Sequence, residues 1–248
     1  MADTVTALTL SETLENKINA VGVENLPANF NVSKWQLNCL AFANEKRADL
    51  KQFSHQQIVE GLMKGAYLGL DFWNKECYLI PYRDQLQFMA DWRGSIKLAK
   101  RYSTRPIKQI NAKIVREGDE FQMTSESGQD SFVFKPLPFN DGKIVGAFAY
   151  VQYEDGGVEV EVLNISELNS AKGQSKAQNS PAWQKFGSEM YRKVAIHRLC
   201  KHIPLDFELP NQRDLLMEGI DTVSSAKEQA LADAEYQANV VDVEVEDF

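Results

Sequence analysis

The chain has 248 residues, 44% of them hydrophobic and 25% charged, which is enough apolar material for one substantial core at an ordinary charge density. No run approaches the roughly 18 apolar residues of a membrane span, and the N-terminus lacks a basic-then-apolar leader, so a cytoplasmic protein without a membrane partner is expected. A net charge of −8 argues against a nucleic-acid partner until its distribution is read: residues 221–248 hold eight acids against Lys227 alone, a net of −7, and the other 220 residues carry only −1.

Residues 1–30 are polar, with one amphipathic stretch at Leu10, Leu14, Ile18 and Val21, spaced for a helix. They read as an arm with a short helix, placed to contact a neighbouring subunit. Two further helical patterns follow, from Ser33 through Trp35, Leu37, Leu40 and Ala41, and from Ser54 through Ile58, Leu62, Met63 and Ala66, with Ser33 and Ser54 placed as N-caps. Gly65 and Gly69 loosen the second helix toward its end.

The period changes at Glu76. Cys77 to Tyr82, the break Arg83-Asp84, and Leu86 to Met89 predict a hairpin, with Pro81 on an edge or bulge. Strands are expected at 111–115, 120–124, 131–135 and 144–153, and at Val158-Glu159-Val160-Glu161-Val162, where strict alternation follows the turn Asp155-Gly156-Gly157. Strands in series with short turns predict an antiparallel sheet. A helix over 181–202, with Trp183, Phe186, Met190 and Val194 on one stripe, is expected to close the core. The fold class is therefore α+β: an antiparallel β-sheet with a packed helix, flanked by N-terminal helices and a flexible acidic C-terminal tail. The divisions are 1–30, a core over 31–219, and a tail over 220–248. Ser166 to Ser180, rich in Ser, Asn, Gln, Ala and Lys, reads as a mobile loop.

Enzyme signals are thin. The chain has no phosphate loop of the G-x-x-x-x-G-K-[ST] kind and no G-x-G-x-x-G, so no nucleotide cofactor is expected. His197, Cys200 and His202 do not share one helix face, which argues against a metal cluster there, and Cys39, Cys77 and Cys200 read as reduced core thiols. No catalytic residue and no metal ligand is assigned.

The positive signal is a basic helix beside aromatics. From Trp92 to Ala112 there are six bases and no acid. At 100° per residue, Arg93, Lys97, Lys100 and Arg101 fall within about 100° of one another, with Trp92, Ile96 and Ala99 on the adjoining face that should pack on the sheet. Arg105 and Lys108 continue the run. A charged helix face is most often merely solvated; the purity of sign in an acidic chain points instead to phosphate contact. Arg192 and Lys193 of the closing helix, and Lys172 and Lys176 of the 166–180 loop, are added as DNA-contacting candidates. Tyr82 and Trp92 are candidate stacking surfaces, although aromatics beside a hairpin are more often core.

At these residues a family resemblance emerges. Gly61-Leu62-Met63-Lys64-Gly65-Ala66-Tyr67-Leu68-Gly69-Leu70-Asp71, then Glu76 to Tyr82, then Trp92-Arg93-Gly94 with Leu98-Ala99, resemble the central signature of RecT-family single-strand annealing proteins. Ser180-Pro181-Ala182-Trp183 and Glu189 to Val194 look like the closing helix of that family. The resemblance spans Ser33 to Pro204. Family members often carry Pro after Leu-Gly-Leu and a glycine ahead of the aromatic at Trp92; here Asp71-Phe72-Trp73 and Ala90-Asp91 stand instead. The resemblance implies an ATP-independent phage recombinase that binds single-stranded DNA and the annealed duplex and assembles with itself into rings or helical filaments. It also implies a RecE-type exonuclease as a partner. Two other classes stand beside it, a metal-dependent DNA-processing nuclease and an oligomeric structural phage protein. The tail, Val240 to Phe248, alternates valine with acid and resembles the acidic tips of bacterial single-strand-binding proteins, which makes a host protein of that kind a candidate partner and the tail a competitor for the basic groove.

Overall fold

The computed structural model describes residues 7–82, 84–126, 128–174, 179, 181–209 and 211–216, without the side chains of Ala7, Tyr82 and Ala182. The expectations placed on residues 1–6, on the Tyr82 side chain, on Lys176 and on the acidic tail lie outside the described residues. The rest is α+β with antiparallel sheets, as the patterning predicts.

Two cores share one helix. The first is built from α1 (Ala7–Val21), α2 (Val32–Glu45), the short α3 (Arg47–Leu50) and α4 (His55–Leu68). Leu10, Leu14 and Ile18 of α1 are buried against α2 and α4, so the apolar stripe of the arm is spent on the chain's own core. Each such side chain contributes about 1.5–3 kcal/mol. The cap of α2 is Asn31, whose Oδ1 accepts from the Lys34 N–H at 2.9 Å, and not Ser33, which lies within the first turn. Ser54 caps α4 as expected, in a reciprocal box with Gln57. Gly69 ends α4 at φ 66°, a left-handed conformation that a β-carbon penalises.

The chain then forms the hairpin β1 (Cys77–Tyr82) and β2 (Gln85–Ala90), in register from Cys77↔Ala90 to Tyr82↔Gln85. Cys77, Leu79, Phe88 and Ala90 face the first core. A two-stranded sheet is all edge, which is where Pro81 is tolerated. Next comes α5 (Trp92–Tyr102), capped by Asp91, which accepts from the Arg93 N–H at 3.2 Å.

The second core lies beneath a sheet of β3 (Ile107–Arg116), β6 (Ile144–Tyr153) and β7 (Val158–Asn164), all antiparallel and ordered β3-β6-β7. β4 (Glu120–Glu126) and β5 (Gln129–Lys135) pair only with each other, so the single sheet expected from strands in series is corrected to three separate sheets. The cause is aromatic. Phe121, Phe132 and Phe134 alternate onto one face of the β4–β5 hairpin and lie on Phe148, with ring centroids at 4.6, 5.2 and 5.2 Å. The hairpin therefore covers one face of β6 while β3 takes its edge. Ala147, Ala149, Val151 and Tyr153 point the other way, into the second core.

The segment expected as a loop over 166–180 is corrected for its first part, which is helix α6 (Ile165–Gln174). Asn164 and Glu167 form a reciprocal cap, Glu167 N–H to Asn164 Oδ1 at 3.0 Å and Asn164 N–H to Glu167 Oε2 at 2.9 Å, and Leu168 is fully buried. The closing helix is also corrected. It breaks at Phe186 into α7 (Pro181–Lys185) and α8 (Gly187–His202). Phe186 is 60% exposed, and the buried stripe of α8 is Tyr191, Ala195, Ile196, Leu199 and Cys200.

Candidate nucleic-acid interface

Helix α5 is the shared element. Leu98 and Tyr102 enter the first core, Ala99 the second, and Trp92 and Ile96 pack partly buried against the second. Gly94 meets the hairpin: a β-carbon there would lie 2.2 Å from the Glu76 carbonyl oxygen, so only glycine lets the helix sit this close. With two faces spent on packing, what remains outward is the basic arc. Arg93, Lys100 and Arg101 are exposed and Lys97 is half-buried.

These four cations are not equivalent. Lys97 Nζ donates to Glu76 Oε2 at 2.6 Å, and Arg93 reaches Asp91 at 3.4 Å while its guanidinium lies over the Trp92 ring at 4.7 Å. The N-terminal half of the stripe is thus largely neutralised by Glu76 and Asp91. Lys100 and Arg101, on the last turn, make no salt bridge among the described residues, and cations at a helix C-terminus are favoured by the helix dipole. Lys108 on β3 is exposed too, and makes no salt bridge among the described residues.

α8 runs alongside α5 in the same direction. Ser95 Oγ and His197 Nδ1 lie 3.3 Å apart, and beyond the helix ends Ser103 pairs with Leu205 and the Asp206 N–H donates to the Tyr102 carbonyl at 2.7 Å. Lys193, one turn before His197, lies near enough to Asp91 to help hold its carboxylate charged against burial. Enclosure between the helices, with Lys193 and Lys201 on either side, pushes His197 down to about 4. Burial is the larger cause, and the two lysines add to it. His197, Cys200 and His202 diverge: Cys200 is buried with its thiol pushed up to about 12, and His202 faces Glu161 at 4.0 Å.

Other candidates are placed differently. Arg105 is clasped by Asp155, with Nη2–Oδ2 at 2.9 Å, by Glu159 at 3.4 Å, and by the Tyr153 ring at 3.9 Å, so it pins the β6–β7 turn to the start of β3. Arg192 pairs with Glu189 on its own helix. Lys172 of α6 lies over the Trp183 ring at 5.8 Å. Of the aromatics, Phe88 is core, and Trp92 is half-buried between Arg93 and the second core. The segment from Gly69 to Glu76, which carries part of the family signature, was not among the candidate contacts. It borders the basic stripe, and it exposes Trp73, which stands where departure from the family pattern was noted.

The family model for the RecT family matches residues 33–235. The chain belongs to the RecT family. It is 32% identical over 167 residues to Protein RecT of Escherichia coli (strain K12), a match covering 64% of this chain and 58% of that relative, so the chain matches less than two thirds of the relative's length. The stretches that resemble the RecT family now have structural reasons. Gly61 to Asp71 is the second half of α4 (His55–Leu68) with its left-handed cap, Glu76 to Tyr82 leads into and includes β1 (Cys77–Tyr82), and Trp92-Arg93-Gly94 is the start of α5 against Glu76. The RecT-family signature in this chain thus describes the packing that sets the basic arc of α5 outward.

Proposed function

We propose that this chain binds single-stranded DNA and anneals complementary strands in phage-type homologous recombination, without a nucleotide cofactor, as an oligomer or helical filament. The observation that carries the reading is α5, packed between two cores by its apolar and small residues so that Arg93, Lys100 and Arg101 are exposed, with the half-buried Lys97 beside them. Membership of the RecT family supports it.

Two DNA strands repel through their phosphates, and a cationic surface that neutralises one lowers the barrier to bringing in the other. Base pairing then supplies specificity, so the protein needs to hold backbones and leave most bases open. A strand for annealing must first be exposed by resection, which makes an exonuclease of the RecE type and a host single-strand-binding protein the fitting partners. The test is binding of a labelled single strand, followed by anisotropy as salt is raised. Affinity should fall linearly on a log–log plot and be insensitive to base sequence. Affinity independent of salt would remove this surface from the reading.

A further inference from the structure

We propose that Trp73 stacks on a base of the bound single strand and is the aromatic contact of this site, an inference that rests on the reading of the chain as a single-strand binder. Trp73 is 50% exposed, whereas Trp35 and Trp183 are buried. It stands in the connection between α4 and β1, and both ends of that connection touch the basic stripe. At one end, a β-carbon on Gly69 would come within 2.5 Å of Arg101 Nη1; at the other, Glu76 holds Lys97. Between them Trp73 and Lys75 face outward.

The turn that carries that indole is held by its neighbours. Phe72 is buried with its ring 5.0 Å from that of Phe42 and 6.2 Å from that of Phe88. Asp71 accepts from Asn38 Nδ2 at 2.5 Å and from the Asn74 N–H at 3.1 Å, while its own N–H donates to Glu76 Oε2 at 2.8 Å. The Lys75 N–H closes the turn on the Phe72 carbonyl at 3.1 Å. A large exposed aromatic is thus carried on a turn anchored just before it by a buried phenylalanine and a hydrogen-bonded carboxylate, in a connection whose two ends meet cations of a helix. A base presents a π-face to such a ring whatever its identity, so the contact is sequence-tolerant, while Lys75, Lys100 and Arg101 take the adjoining phosphates. Its service to annealing is to hold the strand at one point and leave the other bases free to pair.

The test compares two labelled strands of equal length, one of thymidines and one of abasic residues, against the full chain, Trp73→Ala and Trp73→Phe. Trp73→Ala should bind the thymidine strand about five- to a hundredfold more weakly, bind the abasic strand as the unaltered chain does, and melt at the same temperature. Trp73→Phe should retain most of the affinity. Equal weakening toward both strands, or none toward either, overturns the stacking role while leaving the functional reading in place. Failure of the unaltered chain to bind the thymidine strand overturns both.

Discussion

Lys100 and Arg101 are set apart by what they lack, a carboxylate partner among the described residues. Lys97 and Arg93, one and two turns earlier, are already paired with Glu76 and Asp91, and Arg105 is paired with Asp155 and Glu159. Replacing Lys100 and Arg101 together by Ala should therefore make the logarithmic salt slope for single-strand binding shallower by about 1.4, at roughly 0.7 per lost contact. Arg105→Ala should lower the melting temperature and leave that slope unchanged. Equal slopes for all three proteins would detach α5 from the DNA. His197 supplies an independent reading of the seam. Its folded value of about 4 lies below the ordinary imidazole value, so the unfolded chain takes up the proton first as pH falls. Stability present above about pH 6.5 is lost as the pH drops toward 4, by roughly 1–3 kcal/mol. Denaturant midpoints across this range should decline for the unaltered chain and decline less for His197→Gln. Parallel declines would place the titration elsewhere.

At the level of elements, α6 shows what a short sequence signal is worth. Asn164-Ile165-Ser166-Glu167 is a capping box followed by one buried leucine, and Asn164→Ala should cost about 1 kcal/mol, read as a lower denaturation midpoint. No change would mean that packing on Tyr191, whose hydroxyl donates to Asn169 at 2.7 Å, holds the helix alone. The sequence carried this cap, but the polar composition around it masked the helix. The hairpins β1–β2 and β6–β7, α4 and α5 were legible because their periods and turns are local: strict alternation with Asp155-Gly156-Gly157, and a Ser54 box followed by an apolar stripe. The pairing of β3 with β6 was not legible. It joins strands separated by a whole hairpin and depends on Phe148 being covered by Phe121, Phe132 and Phe134, which no local pattern announces. The break at Phe186 was hidden for a similar reason, since an apolar residue at helical spacing looks buried until its neighbours are known. Among the site residues, the sign and spacing of the α5 cations could be read directly. Which of them are already neutralised could not, because Glu76 and Asp155 lie distant in sequence from Lys97 and Arg105.

For the molecule as a whole, charge is divided between a nearly neutral body and an acidic tail of net −7 over residues 221–248. A tethered run of carboxylates acts on a basic surface as additional phosphate would, at an effective concentration of order millimolar. Removing residues 221–248 should tighten single-strand binding at low salt, and the difference should vanish as salt screens both competitors. A truncated chain that binds no more tightly would leave the tail a partner-binding or solubilising role. Above all, we propose that two cores present α5 so as to gather and pair DNA strands without cutting them. The most direct test is to mix the full chain with two complementary oligonucleotides, without nucleotide and with a chelator of divalent metal, and to measure the rate of duplex formation and then the lengths of the strands. Annealing should be faster than without protein, slowed by salt, with every strand intact. Duplex formation at the protein-free rate, or shortened strands once divalent metal is restored, would contradict it.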